Sequence, residues 1–394
     1  MSEANRIYLD YAASTPLSAR ARHAMQAARG RGNPSSIHEE GRRARARFEE
    51  ARVRIARVIN AAPSEVVVTG SGSESDTLAL IGAARAYRAR GSHILVSAIE
   101  HKAVLKAAET LKRDGFSVDY VRPDREGRIT PESIKALVRP DTTVISVMYA
   151  NNEVGTIEPI AKIASLLREI RGSAPTPLLH TDACQAPGQV AVDVQALGVD
   201  LMSINSSKVY GPKGVGALYV RRGVMLEPIV GGEQERGLRG GTESVELAAG
   251  FAAALEEAEA LREREAPRLC ALRDSCIEAI LQRIPGSHLN GHRSERLPGN
   301  VHVSFEGVEG ESILLLMDAA GIACATGSAC NSFDLAPSHV LVALGEEAGL
   351  SHGSIRLTFG RETTQRHVEY GVEQLERIIG FLRGVSALTH PLAV

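Results

Sequence analysis

A chain of 394 residues has room for a sizeable core and for two or three domains. With 44% hydrophobic residues, 23% charged residues and a formal net charge of −2, it reads as an ordinary globular protein, and bulk charge gives no argument for nucleic acid or an anionic membrane. Five cysteines are too few for a disulfide framework, no apolar run approaches the ~18 residues of a membrane span, and Met1–Leu9 carries no export or transit pattern, so reduced thiols and a cytoplasmic location are expected.

The run Ile37–Ile59 is helix-like and rich in arginine at many phases, which reads as a solvated helix face. From residue 65 strands and helices alternate. Val66–Thr69 is a β-branched strand that ends in Gly70-Ser71-Gly72-Ser73, and Glu74–Tyr87 follows as an Ala-rich helix. His93–Ser97, Val118–Val121, Val144–Met148 and Pro177–Thr181 are predicted strands. Between them lie predicted helices at His101–Arg113, at Pro131–Val138 behind a Thr130 cap, and at Ile160–Arg171. Leu201–Asn205 and Gly216–Val220 are two more strands. This alternation argues for a largely parallel sheet covered on both faces, with ligands at the carboxyl ends of its strands. Beyond about residue 245 the pattern changes. Ser244–Arg273 predicts one long helix or two, kinked or split at Pro267. Asn300–Phe305, Glu311–Ala320, a cysteine-containing loop, Ser338–Ala343 and Ile355–Phe359 then suggest a smaller α+β domain, with the boundary near residue 260.

Four segments carry residue types suited to chemistry. Gly70-Ser71-Gly72-Ser73-Glu74 links a strand to a helix, where glycines let an anion approach and N–H and hydroxyl groups donate to it. It lacks the lysine of a Walker loop and the third glycine of a dinucleotide fingerprint; the alternative is a capped helix after a tight turn. In His180-Thr181-Asp182-Ala183-Cys184-Gln185, three ligand-type side chains alternate along an extended chain. They suit a metal, though no fourth ligand stands at a recognisable spacing, or Asp182 suits a protonated heterocyclic nitrogen. Lys208, after a strand and before Tyr210-Gly211-Pro212-Lys213-Gly214, suits a Schiff base or a plain solvated charge. A phosphate cradle, a strand-end Asp and such a lysine, in that chain order, are what pyridoxal phosphate needs. Finally, Gly327-Ser328-Ala329-Cys330 sets a thiol among small residues, as befits a mobile, exposed nucleophile, whereas Cys324 follows apolar neighbours and reads as packed.

Taken together these segments resemble the cysteine desulfurases of the NifS/IscS type, within the class V aminotransferase superfamily. The resemblance runs from Tyr8-Leu9-Asp10-Tyr11-Ala12-Ala13 to about Gly360. It includes Gly32-Asn33-Pro34-Ser35-Ser36, Glu100-His101-Lys102, Asn151-Asn152-Glu153-Val154-Gly155, Arg239-Gly240-Gly241-Thr242 and Ser354-Ile355-Arg356. It implies an α/β, fold-type I pyridoxal-phosphate-dependent transferase. A large domain, residues 15–260, would hold a mostly parallel seven-stranded sheet, and residues 1–14 and 261–394 would form the smaller α+β domain carrying the cysteine loop. The implied activity converts L-cysteine to L-alanine and leaves a persulfide on Cys330, for iron–sulfur cluster assembly, tRNA thiolation or another sulfur-transfer pathway. By the same resemblance Lys208 holds the cofactor as a Schiff base, Asp182 pairs with its ring nitrogen, and His101 stacks on the ring and assists proton transfer. Gly72 and Ser73 bind its phosphate, with Asn205 and Ser207 beside the site and Thr242 reaching in from a second subunit. Gln185 and Asn152 lie near the ring and substrate, and Arg356 clamps the substrate carboxylate. The implied partners are a second copy of the chain and a sulfur-acceptor protein such as an iron–sulfur scaffold, with no nucleic acid and no membrane. No intrinsic metal is implied, only transient iron–sulfur ligation by Cys330.

The chain also departs from the family. Ser207 stands where the family usually has a histidine before the lysine, so the phosphate loses an imidazole donor and weaker cofactor retention is expected. Cys184 replaces a common Thr and Ser14 another. The competing readings are a selenocysteine lyase or related β-lyase, and a weakly active paralogue serving as a docking platform.

Overall fold

The computed structural model describes residues 6–326 and 337–389. Its strands are β1 Ile7–Tyr8, β2 Val66–Thr69, β3 His93–Ser97, β4 Ser117–Val121, β5 Thr142–Ser146, β6 Leu178–Asp182, β7 Leu201–Asn205, β8 Gly216–Val220, β9 Ser287–Leu289, β10 Asn300–Phe305, β11 Ile322–Ala323 and β12 Ser354–Thr358. Seven of them form one sheet in the order β2-β8-β7-β6-β5-β3-β4. The run from β4 to β7 is parallel, and β8 lies antiparallel to both neighbours. The expected seven-stranded, mostly parallel α/β sheet is therefore present.

Side-chain alternation explains why the sheet needs cover on both faces. Ile94, Val144, Leu178 and Leu201 join a cluster with Leu78, Val104 and Leu111. The next residues along, Leu95, Ile145, Leu179 and Met202, join a second cluster with Phe48, Ile55, Ile163 and Phe251. A third cluster, with Leu9, Ile277, Phe305, Met317 and Leu375, surrounds the antiparallel sheet β12-β10-β9. No helix among the described residues is long and apolar enough to cross a membrane.

Several expected boundaries move. The first site helix begins at Gly72, runs through a π-helical stretch at Leu78–Gly82 and ends at Ala86. β5 starts two residues early because Thr142 Oγ1 lies 2.8 Å from His93 Nδ1, which satisfies a polar pair inside the sheet. The helix Pro131–Lys135 is shorter than expected. Pro267 does not split its helix: Val245–Arg283 is continuous through it. Packing offsets the lost hydrogen bond there, since Ala254, Leu255 and Ala258 before the proline are buried against one cluster and Leu269, Leu272 and Cys276 after it against another. The arginine-rich helix Glu39–Val58 is not wholly solvated either, because Arg52 is buried and both its Nη atoms lie 2.6 Å from the Glu235 carboxylate.

The N-terminal strand ties the two halves of the chain together. β1 pairs in parallel with β11, Asp10 bridges to Thr358, and the Ala12 N–H donates to Thr358 Oγ1 at 2.9 Å. Those contacts place the carbonyls of Ala12 and Ala13 over the ends of the central strands.

Candidate active site

The carboxyl ends of β2, β3, β6 and β7 deliver the first group of side chains. Asp182 is the last residue of β6; it is 5% exposed, and its Oδ1 accepts the Cys184 N–H at 2.8 Å. His101 caps the helix Lys102–Arg113 through Nδ1, which accepts the Ala103 N–H at 3.2 Å. With Nδ1 acting as acceptor, the ring proton sits on Nε2. Burial, followed by the repulsion of Lys208, lowers the His101 pKa below 6.5 against the pull of Asp182, so the imidazole is neutral at pH 7. Ligand atoms of His101, Asp182 and Asp76 all lie within 4.8 Å of one another.

Lys208 follows β7 in a short turn. Its Nζ donates to the Ala12 carbonyl at 2.8 Å and also to that of Ala13. Gln185 Nε2 reaches the same Ala12 carbonyl at 3.0 Å, so Gln185 and Lys208 meet on one main-chain oxygen. Asn205 Oδ1 accepts the Ser207 N–H at 3.2 Å, and the Ser207 carbonyl accepts from both N and Oγ1 of Thr15.

Gly72 is buried at the first turn of its helix, and Ser73 beside it is exposed. A Cβ on Gly72 would stand 2.6 Å from Cys184 Sγ and 3.3 Å from Asn205 Cβ. Glycine is thus required by close approach of the loops after β2, β6 and β7. Ser71 caps the helix, and Glu74 joins Gly70 N to Arg239 Nε at 2.8 Å each. Burial, with the negative field of Asp182, pushes the Cys184 thiol well above its ordinary range and keeps it neutral.

Arg356 on β12 supplies a cation from the other side. Its Nη1 donates to the Asn152 carbonyl at 2.8 Å and its Nη2 pairs with Asp10 Oδ1 at 2.8 Å. The buried Nε has no partner among the described residues. Thr242 stands apart from this group: it is exposed and lines a cavity of about 390 Å³ with Arg29, Arg43 and Arg47. Cys330 lies outside the described residues. The chain on either side of it is anchored at the site. Ala325 exchanges both main-chain hydrogen bonds with Arg356 (2.7 and 3.1 Å), Ser338 Oγ donates to the buried Glu153 carboxylate, and His339 Nε2 lies 3.0 Å from the Glu100 carbonyl.

The suggested metal set of His180, Asp182 and Cys184 does not assemble as one. His180 instead sits fully buried between Ser146 Oγ (2.9 Å) and Ser203 Oγ (3.1 Å), and Asp76 takes its place near Asp182. Asp10, Asp76 and the carbonyls of Ala12 and Ala13 were not foreseen. For Asp76 a signal existed: it lies four residues after Gly72, on the helix face that points at the sheet.

The model of the aminotransferase class-V family matches residues 7–370. The chain is 46% identical to a protein named cysteine desulfurase IscS from Dictyoglomus turgidum, over 96% of each chain. A solved structure described as a NifS-like protein superposes with a TM-score of 0.88 at 33% identity, covering 95% of this chain and 100% of that one. Another, described as SspA in complex with cysteine, gives 0.77 at 34% identity over 90% and 98%.

Proposed function

The chain belongs to the aminotransferase class-V family, and from that premise we propose that it is a pyridoxal-phosphate-dependent cysteine desulfurase, converting L-cysteine to L-alanine with sulfur carried on Cys330. The observation that carries this reading is the convergence of Lys208, Asp182 and neutral His101 at the ends of the central strands, with Arg356 approaching from β12. The donor set fits the cofactor. A primary amine, a buried carboxylate and an imidazole N–H meet beside a glycine-lined helix start, and Arg356 Nε is a buried donor with no partner among the described residues.

In this reading Lys208 would hold the cofactor covalently, Asp182 would accept the N–H of its ring nitrogen, and Gly72, Ser73, Asn205 and Ser207 would border its phosphate. When bound, the cofactor supplies an electron sink for the bonds at the substrate α-carbon. Arg356 holds the substrate carboxylate through its planar fork. Gln185 and Asn152 orient the ring and the amino acid. Lys208 and His101 are placed to move protons. Sulfur passes from the β-carbon of cysteine to the Cys330 thiolate: the carbon–sulfur bond breaks, a sulfur–sulfur bond forms, and the carbon skeleton takes up a proton to leave as alanine. The anchoring of both flanks of residues 327–336 beside Arg356 and His101 supports delivery of the thiol from there.

A homodimer handing sulfur to an acceptor protein completes the proposal, with Thr242 contributed across the subunit interface. The division into residues 15–260 and the remainder would fall inside the helix Val245–Arg283. The test is alanine formation from L-cysteine by cofactor-loaded protein and by Cys330→Ser. Turnover that collapses in the variant supports the reading. Turnover that survives it points to a lyase without a persulfide carrier.

A further inference from the structure

Asp76 is 1% exposed, lies beneath Asp182, and takes no part in the chemistry proposed above. Its Oδ1 has no hydrogen-bond partner among the described residues, although buried oxygens in folded proteins nearly always find one. Two carboxyl groups within 4.8 Å in a dry pocket do not both ionise. Which of them carries the proton follows from their donors. Asp182 accepts the Cys184 N–H at 2.8 Å, whereas among the described residues no main-chain N–H reaches Asp76, which has the Ser203 hydroxyl beside it.

We propose that Asp76 is a positioning residue for Asp182: it is held as a neutral acid under the strand end, so that Asp182 remains the single anion turned toward the heterocycle.

The other groups packed around Asp76 agree with this. His180 Nε2 is 3.7 Å away, but burial lowers that imidazole to about 4, so it brings no positive charge. Glu100, beyond β3, is buried with one oxygen lacking a partner among the described residues, and burial raises it to about 8. Cys184 is a neutral thiol. The Lys208 ammonium is bonded to the carbonyls of Ala12 and Ala13. Burial first and then Asp182 raise Asp76 well above the ordinary carboxyl range, in line with the geometry.

The inference rests on the proposed reading only for what Asp182 faces; the proton itself is read without turnover. Asn has the shape of a neutral carboxylic acid and cannot ionise, so Asp76→Asn is the test. In the unfolded chain Asp76 ionises at about pH 3.9. In the fold it stays protonated, so wild type loses stability relative to D76N as pH rises. The unfolding equilibria of the cofactor-loaded proteins diverge by about tenfold per pH unit between roughly pH 5 and 7. Cofactor release on dialysis at about pH 6 stays within about twofold of wild type in D76N and accelerates in D76A, which leaves Asp182 no polar neighbour there. Parallel stability curves, or a D76N protein that sheds its cofactor as fast as D76A, overturn the proposal. If D76N does not fold, infrared spectra of wild type with isotope-labelled aspartate decide it: a labelled, protonated carboxyl band at pH 7 supports the proposal and its absence sinks it. Failure of the desulfurase reading appears separately, as absence of alanine.

Discussion

Asp10 Oδ1 lies 2.8 Å from Arg356 Nη2, an ion pair between residues 346 positions apart. It joins the N-terminal segment to β12, where Arg356 is about nineteen-twentieths buried. A guanidinium left there without its partner is an uncompensated charge. Asp10→Ala is expected to destabilise the protein by about 2 kcal/mol, a value below the usual range for buried pairs because Asp10 keeps partial contact with water. Urea denaturation checks it. Arg356→Lys preserves charge but not the planar fork, and KM for L-cysteine is expected to rise by about tenfold or more. An unchanged KM would remove Arg356 from the carboxylate site.

Gly72 and Cys184 fit each other. Since a Cβ on Gly72 would stand 2.6 Å from Cys184 Sγ, Gly72→Ala overpacks the loops between β2 and β6. The expected cost is about 1–3 kcal/mol. Cys184→Ala alone leaves a small void and costs about 1 kcal/mol. The double variant removes the clash and fills part of the void, so it should be more stable than Gly72→Ala. A double-mutant cycle measures this coupling; additive losses would mean that the two residues do not compete for the same space.

The legibility of this molecule follows the range of its interactions. The placement of Asp182 and Lys208 was readable because one ends a strand and the other follows a strand in a short turn among small residues, a local pattern with a local cause. The capping role of Ser71 belongs to the same class. The Asp10–Arg356 pair was not readable, nor were the Ala12 and Ala13 carbonyls that receive Lys208, since chain folding brings those groups together and main-chain oxygens carry no sequence signature. Pro267 misled for a related reason: its local penalty is real, but burial of both flanking segments outweighs it.

The chain of Ser146, His180 and Ser203 beneath the site has a consequence for acid stability. Burial holds the His180 imidazole at about 4, against 6.5 for an exposed ring. Between those values the unfolded chain binds a proton that the folded chain refuses. Stability is therefore complete above pH 6.5 and falls as pH drops toward 4, by about 3 kcal/mol from this residue. His180→Gln removes the titration. Wild type should lose about 3 kcal/mol more than H180Q between about pH 7 and pH 4, measured by denaturant unfolding. Equal losses would place the proton elsewhere.

Ser207 stands where the family resemblance leads one to expect a histidine before the lysine. Its main chain is already fixed: the N–H donates to Asn205 Oδ1 at 3.2 Å and the carbonyl receives Thr15 N at 2.9 Å. A change of side chain therefore leaves the position of Lys208 undisturbed. A hydroxyl is short and uncharged, whereas an imidazole beside a phosphate dianion can donate a charge-assisted hydrogen bond. Ser207→His is expected to slow loss of pyridoxal phosphate by roughly tenfold, with a larger gain at lower pH, where the new imidazole is more fully protonated. Dialysis followed by cofactor absorbance measures the release rate across pH. Equal rates in wild type and variant would show that the phosphate does not reach residue 207.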